Sequence, residues 1–170
     1  MRMSLWKRIK NIVAKPEAPK PERKPSMLEP GDICEVSLIS YEVVGRTDWR
    51  IRPGTWVTLR DGANIRYLHV EQREQPYYSL YQGIDGRLDS VEEVPTEIDL
   101  DGKWFYLEDQ YDGRVTCTGQ TPFGGAGEQY VWQYQSDDRK LLRIEWQDGR
   151  FQLYEGEAVI AADVRIIRRS

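Results

Sequence analysis

Hydrophobic and polar positions follow two different periods along this chain, and the change comes near residue 28. In the first fifteen residues Leu5, Trp6, Ile9, Ile12 and Val13 fall within an arc of about 120° when residues are set at 100° intervals; Lys7, Arg8, Lys10, Asn11 and Lys15 take the other side. That spacing predicts a basic amphipathic helix over residues 1–15. Such a short helix is not stable in water without a surface to lie on. Its apolar stripe has three destinations: a membrane surface, a partner protein, or the protein's own body. Trp6 suits the first, because an indole at a water–lipid interface buries its ring and keeps its N–H wet.

Prolines then recur at Pro16, Pro19, Pro21 and Pro25 with no large apolar side chain between them. Proline fixes φ and removes a donor, so residues 16–27 read as an extended, semi-rigid Pro/Lys-rich linker. From Leu28 onward short β-rich stretches alternate with turn residues. Strands are expected over 32–36, 41–46, 55–60, 66–71, 77–82, 103–108, 114–118, 129–135, 141–146, 151–154 and 163–167. Asp61-Gly62, Asp85-Gly86, Asp101-Gly102, Asp112-Gly113 and Asp148-Gly149 punctuate them, and the Asp-Gly pair favours tight hairpins. The pattern predicts an all-β domain of antiparallel strands over residues 28–170, preceded by the short N-terminal amphipathic helix.

Sliding the chain on itself suggests an internal repeat. Tyr67-Leu68-His69-Val70-Glu71 lies over Leu141-Leu142-Arg143-Ile144-Glu145, and Gly45 over Gly119, at an offset of 74. Ser79-Leu80-Tyr81-Gln82-Gly83 lies over Gln152-Leu153-Tyr154-Glu155-Gly156 at 73. Two similar packed units are therefore expected, about 28–95 and 96–170. Shared composition around Asp-Gly turns is the plainer alternative.

The order and spacing of several short motifs carry a family resemblance. Pro30-Gly31-Asp32, Tyr41-Glu42-Val43-Val44-Gly45, Trp56-Val57-Thr58-Leu59, Tyr67 to Glu71, Tyr130 to Tyr134 and Leu142-Arg143-Ile144-Glu145 resemble bacterial domain-of-unknown-function family 4178 over most of residues 28–170. The resemblance implies an accessory protein associated with polyamine synthesis or membrane stress. It carries no catalytic residues.

Charge sharpens this division of the chain. Residues 1–27 hold eight Lys or Arg against Glu17 and Glu22, whereas the remainder holds 16 basic and 26 acidic residues. An acidic body repels a phosphate backbone, so nucleic acid is not an expected partner. No run of 18 apolar residues exists in the 170, which argues against a membrane-spanning helix. The basic N-terminus lacks an apolar signal core, and Cys34 and Cys117 match no ligand spacing, so the expected setting is cytoplasmic, peripheral at the inner membrane face if the helix binds lipid. No metal and no cofactor is expected.

Candidate chemistry is sparse. His69 is the sole histidine, and alternation sets it beside Tyr67 and Glu71 on a polar strand face, read as solvent-facing. Glu71 and Glu145 recur in both halves and are the best paired carboxylates. Their plainer role is one structural contact each. The loop Thr121 to Glu128 is glycine-rich but leads into a strand, so it reads as a mobile hairpin loop and not a phosphate cradle. Cys34 and Cys117 read as buried apolar residues. Tyr130, Trp132 and Tyr134 alternate onto one strand face, with Trp104 and Tyr106 earlier in the chain. Aromatic faces with carboxylates attract organic cations, and Glu92, Glu93, Glu97, Asp99 and Asp101 cluster in sequence.

These features lead to a non-enzymatic accessory or adaptor protein that tethers to a membrane surface or partner through Leu5, Trp6, Lys7, Arg8, Ile9, Lys10, Ile12 and Val13, with oligomerisation strengthening a weak helix contact. The alternative is a polyamine-binding module using Trp104, Tyr106, Tyr130, Trp132, Tyr134, Glu71 and Glu145.

Overall fold

The computed structural model describes residues 23–50 and 52–168. They form eleven strands: β1 (Ile33–Val36), β2 (Ile39–Trp49), β3 (Gly54–Asp61), β4 (Asn64–Glu71), β5 (Tyr77–Ile84), β6 (Glu97–Leu100), β7 (Lys103–Gly119), β8 (Gly127–Ser136), β9 (Leu141–Gln147), β10 (Arg150–Val159) and β11 (Val164–Arg168). Two meanders, β2 to β5 and β7 to β10, join edge to edge. β5 pairs with β10 and β2 pairs with β7, all antiparallel, so eight strands close into a barrel. The sheet continues past the barrel at both ends, through β1 and β11 beside β2 and through β6 beside β7.

Closure explains why these strands bury both faces. On the outside, Val57, Leu59, Leu68, Val70 and Tyr78 pack under a flap that contributes Leu28, Cys34, Val36 and Val164. A second outer cluster joins Trp132, Tyr134, Leu142 and Ile144 to Phe105, Val91, Val94, Ile98 and Leu100 from the connection and strands after β5. Side chains pointing the other way meet across the barrel. Trp56 of β3 touches Tyr154 of β10, with ring centroids 4.9 Å apart, although β4 and β5 lie between those strands. The alternating polar residues of β4 and β9 therefore face inward.

The turns largely obey local chemistry. Asp101-Gly102 and Asp148-Gly149 both adopt positive φ and close two-residue hairpins. Ser37 and Leu38 do the same between β1 and β2, at φ 48° and 70°, with no Asn or Gly to announce it. Gly45 and Gly119 stand opposite each other at the β2–β7 seam. A Cβ on Gly45 would lie 1.7 Å from the Gln120 carbonyl oxygen, so this close approach admits only glycine.

Several expectations change. The two stretches join by edge pairing into one continuous closed sheet, because β5 and β2 would otherwise expose unpaired edges. The stretches 103–108 and 114–118 are one long strand, and Asp112-Gly113 lies inside it, paired with Tyr130 and Gln129. β6 is absent from the expected strands, since four residues of Glu-Ile-Asp-Leu give too little pattern to read. The linker end is not a free spacer: Pro25–Met27 forms a 3-10 turn, Arg23 bonds Asp32 at 3.0 Å, and Leu28 is fully buried. The expected N-terminal helix lies outside the described residues.

Candidate functional site

Two places gather the residues that carry chemistry. The first is the barrel interior, centred on Arg143 of β9, whose side chain is 1% exposed. Its Nε donates to Glu145 Oε2 at 3.0 Å, and its Nη1 donates to the Tyr111 hydroxyl at 3.1 Å and to Gln133 Oε1 at 3.4 Å. Gln133 Nε2 in turn donates to the Tyr81 hydroxyl at 3.0 Å. The guanidinium carbon sits 5.0 Å from the Trp56 ring centroid, within cation–π range. Trp56 also contacts Tyr67, Tyr81, Tyr154 and His69.

Burial decides the protonation states here. It works against the Arg143 charge, but Tyr111, Glu145 and Tyr81 outweigh it and hold the group charged. Burial raises the Glu145 carboxyl above its ordinary value, with Arg143 pulling against it. His69 is pushed well below its ordinary value, by burial first and then by Arg143 and Arg73. The solvent-facing reading of His69 is thus overturned: it is 4% exposed and neutral at pH 7 because the polar strand face is the inner one. Burial also lifts the Tyr81 hydroxyl to about 12.

Glu71 and Glu145 do not form a paired site. Glu71, at the end of β4, faces Arg73 at 3.4 Å, and Glu145 is held by Arg143 inside the barrel. Each has its own arginine two residues away, so neither is free to act as an acid or base toward the other.

The second place is the face of the β6–β7 hairpin. Register sets Glu97 opposite Tyr106 and Asp99 opposite Trp104, and directly opposed residues share a face. Trp104 is 50% exposed and Tyr106 38%. Ile98, Leu100 and Phe105 alternate to the opposite side and pack into the outer cluster, which fixes the aromatic pair outward. Asp101, in the hairpin turn, and Glu108, two residues past Tyr106, are also exposed. Among the described residues no Lys or Arg is ion-paired with Glu97, Asp99, Asp101 or Glu108, although Asp99 accepts the Gly102 N–H at 2.8 Å. The arrangement is a carboxylate beside each of two exposed aromatic rings.

The aromatic candidates therefore divide. Tyr130 is half-exposed and touches Trp146 and Trp132, but Trp132 and Tyr134 are buried in the outer cluster, and Tyr134 donates its hydroxyl to the Pro95 carbonyl at 2.6 Å. Tyr106 opposes Gln135, so Trp104 and Tyr106 lie on the other side of the sheet from Tyr134. The glycine-rich loop is pinned at several points: Phe123 is buried, Arg150 bonds its carbonyl at 2.7 Å, and Gln147 and Cys117 bond the Gly125 carbonyl. Cys34 is buried, and burial with Asp32 and Glu35 nearby lifts its thiol to about 12. Cys117 is only half-buried.

A cleft of about 480 Å3 crosses the β5–β10 junction. Arg66, Lys103 and Lys140 line it with Asp101, Glu155 and Glu157, so it has no net charge to select an ion. Sequence reasoning missed the coupling of Tyr111, Gln133, Tyr81 and Trp56 to Arg143. Nothing local signals it, since four strands beside β9 contribute. The pairing of Glu97 and Asp99 with the aromatics was missed because β6 was missed.

The fold defines a closed eight-stranded antiparallel barrel with strand extensions at both ends and a filled, polar and aromatic interior. The chain belongs to the family described as Domain of unknown function (DUF4178), whose model matches residues 29–161. No curated protein matches it, and no solved structure does.

Proposed function

We propose that this protein is a non-enzymatic accessory protein whose β domain recognises organic cations, polyamines or basic side chains, at the exposed β6–β7 face. The observation that carries this reading is the register of that hairpin, which stands Asp99 against Trp104 and Glu97 against Tyr106 with the rings exposed. An ammonium over an indole gains about 0.5–1 kcal/mol at an exposed site, and a neighbouring carboxylate adds Coulomb attraction. Spermidine spans several ammonium groups and can engage both pairs at once. Glu145, Trp132 and Tyr134 take no part, since they are buried.

Titration of the full chain with spermidine, followed by tryptophan fluorescence and calorimetry, tests the reading. Trp104→Ala is expected to weaken binding about two- to fivefold, and the double variant Glu97→Gln/Asp99→Asn, which removes both carboxylates, more than that. The asparagine amide keeps an acceptor for the Gly102 N–H. Equal binding by wild type and both variants, or no binding by wild type, sinks the proposal.

The tethering role of residues 1–15 is a second reading, favoured by the separation of a basic head from an acidic body. Salt-sensitive flotation of the full chain with vesicles containing anionic lipid, abolished by Trp6→Glu/Ile9→Glu, supports a membrane address. The two meanders are further proposed to be related units, a reading supported by the Gly45–Gly119 pairing at the seam.

A further inference from the structure

Trp104 and Tyr106 leave one face of the β6–β7 hairpin exposed among the described residues, and the chain itself carries a segment of matching chemistry. Residues 1–15 contain Arg2, Lys7, Arg8, Lys10 and Lys15 with no Asp or Glu, interleaved with Leu5, Trp6, Ile9, Ile12 and Val13. The face presents the reverse: exposed aromatic surface from Trp104 and Tyr106, each ring opposite a carboxylate, Asp99 and Glu97. We propose that residues 1–15 of one copy dock on the β6–β7 face of a second copy, so that the protein self-associates head to face. This rests on the cation-recognising reading of that face and names the partner.

Charge selects this occupant. The part of the chain beyond residue 27 has 16 basic and 26 acidic residues, so bodies repel one another except where a basic segment intervenes. The point of entry selects a second copy over the same one. Arg23 lines a hollow together with Thr118, near the far end of β7 from Trp104. Fourteen residues of strand separate Thr118 from Trp104, roughly 45 Å at about 3.3 Å per residue. The chain before Arg23 thus joins the body at the end of β7 remote from its own Trp104, and the face it meets without running back along the whole strand is that of a second copy.

A contact between two different surfaces does not close on itself as a two-fold dimer does, so association runs on to rings or open chains. It is salt-sensitive, because exposed charges are screened within about 8 Å at physiological ionic strength. Among the described residues β6 is also an edge strand, beside the docking face.

The test uses the full chain and a fluorescein-labelled peptide of residues 1–15. Sedimentation velocity at low salt is expected to show mass rising with concentration past a dimer, collapsing to monomer in high salt, in Glu97→Lys/Asp99→Asn and in Lys7→Glu/Arg8→Glu. Peptide anisotropy on Lys7→Glu/Arg8→Glu protein is expected to show binding, weakened at least tenfold by adding Glu97→Lys/Asp99→Asn. A peptide carrying Lys7→Glu/Arg8→Glu recovers affinity for the protein carrying Glu97→Lys/Asp99→Asn, an exchange that misfolding cannot mimic. Spermidine displaces the wild-type peptide.

A wild-type chain that stays monomeric at all concentrations overturns the proposal, as does peptide binding indifferent to Glu97→Lys/Asp99→Asn. Vesicle flotation of residues 1–15 with no binding to the face also overturns it, in favour of lipid. If spermidine binds at Trp104 while the peptide does not, the cation reading stands and only the self-association fails. If neither binds, both fail.

Discussion

At the scale of single residues, Arg143 carries a charge that is fully buried. A buried ion pair gains little net stability over apolar packing, because desolvating both charges offsets their attraction. Removing one partner is different. Arg143→Met leaves Glu145 buried at 2% exposure with its main counter-charge gone, and we expect a loss of about 3 kcal/mol or more in urea unfolding at pH 7. The double variant Arg143→Met/Glu145→Leu is expected to recover most of that loss. A double variant as unstable as the single one would show that the wider network with Tyr111 and Gln133, not the charge balance, sets the cost. His69 makes a separate prediction. Its folded value lies below the ordinary 6.5, so the unfolded chain binds the extra proton first. Stability is full above about pH 6.5 and falls as pH drops below it. His69→Gln removes this part of the acid slope, which urea midpoints measured from pH 7.5 to pH 5 would reveal. Glu145 has the opposite sign, since burial raises its value and so favours the folded state as pH falls.

At the scale of elements, the β2–β7 seam is where the barrel closes and where tolerance is least. A methyl on Gly45 meets the carbonyl oxygen and carbon of Gln120 at 1.7 and 2.5 Å, both backbone atoms that move only if the seam opens. Gly45→Ala is therefore expected to lower Tm by several degrees or to prevent folding. Gly83→Ala, also within a strand, meets nothing within 4 Å and is expected to leave Tm nearly unchanged. Thermal melts of the two variants side by side check this, and equal behaviour would refute the claim that the seam is tight. The β6–β7 hairpin teaches a different lesson. Its inward residues Ile98, Leu100 and Phe105 hold it to the outer cluster, and that anchoring is what keeps Trp104 and Tyr106 outward.

At the scale of the whole molecule, closure couples the two meanders into one cooperative body. Unfolding is expected as a single transition, with far-UV dichroism, near-UV dichroism and tryptophan fluorescence superimposing. Two separated transitions would mean that the meanders unfold independently despite sharing the β5–β10 and β2–β7 ladders. Most strands are legible in the alternation of residues such as Tyr67, Leu68, His69 and Val70, because a strand's period of two is a local property of the backbone. The tight turns at Asp101-Gly102 and Asp148-Gly149 are legible for the same reason. The family is legible in the order of short motifs. The inner and outer faces are not. Alternation puts His69, Arg143 and Glu145 on a polar strand face, and in an open sheet such a face meets water. Which face becomes an interior depends on whether strands about 70 residues apart pair edge to edge, and no local pattern encodes that event. The joining of Glu97 and Asp99 to Trp104 and Tyr106 is likewise decided by a four-residue edge strand, too short to read alone and held by packing. The sequence by itself determined where strands run, where they turn and how charge divides. Tertiary structure decided which polar residues are sealed inside and which aromatics stay exposed, because only closure of the sheet distinguishes its two sides.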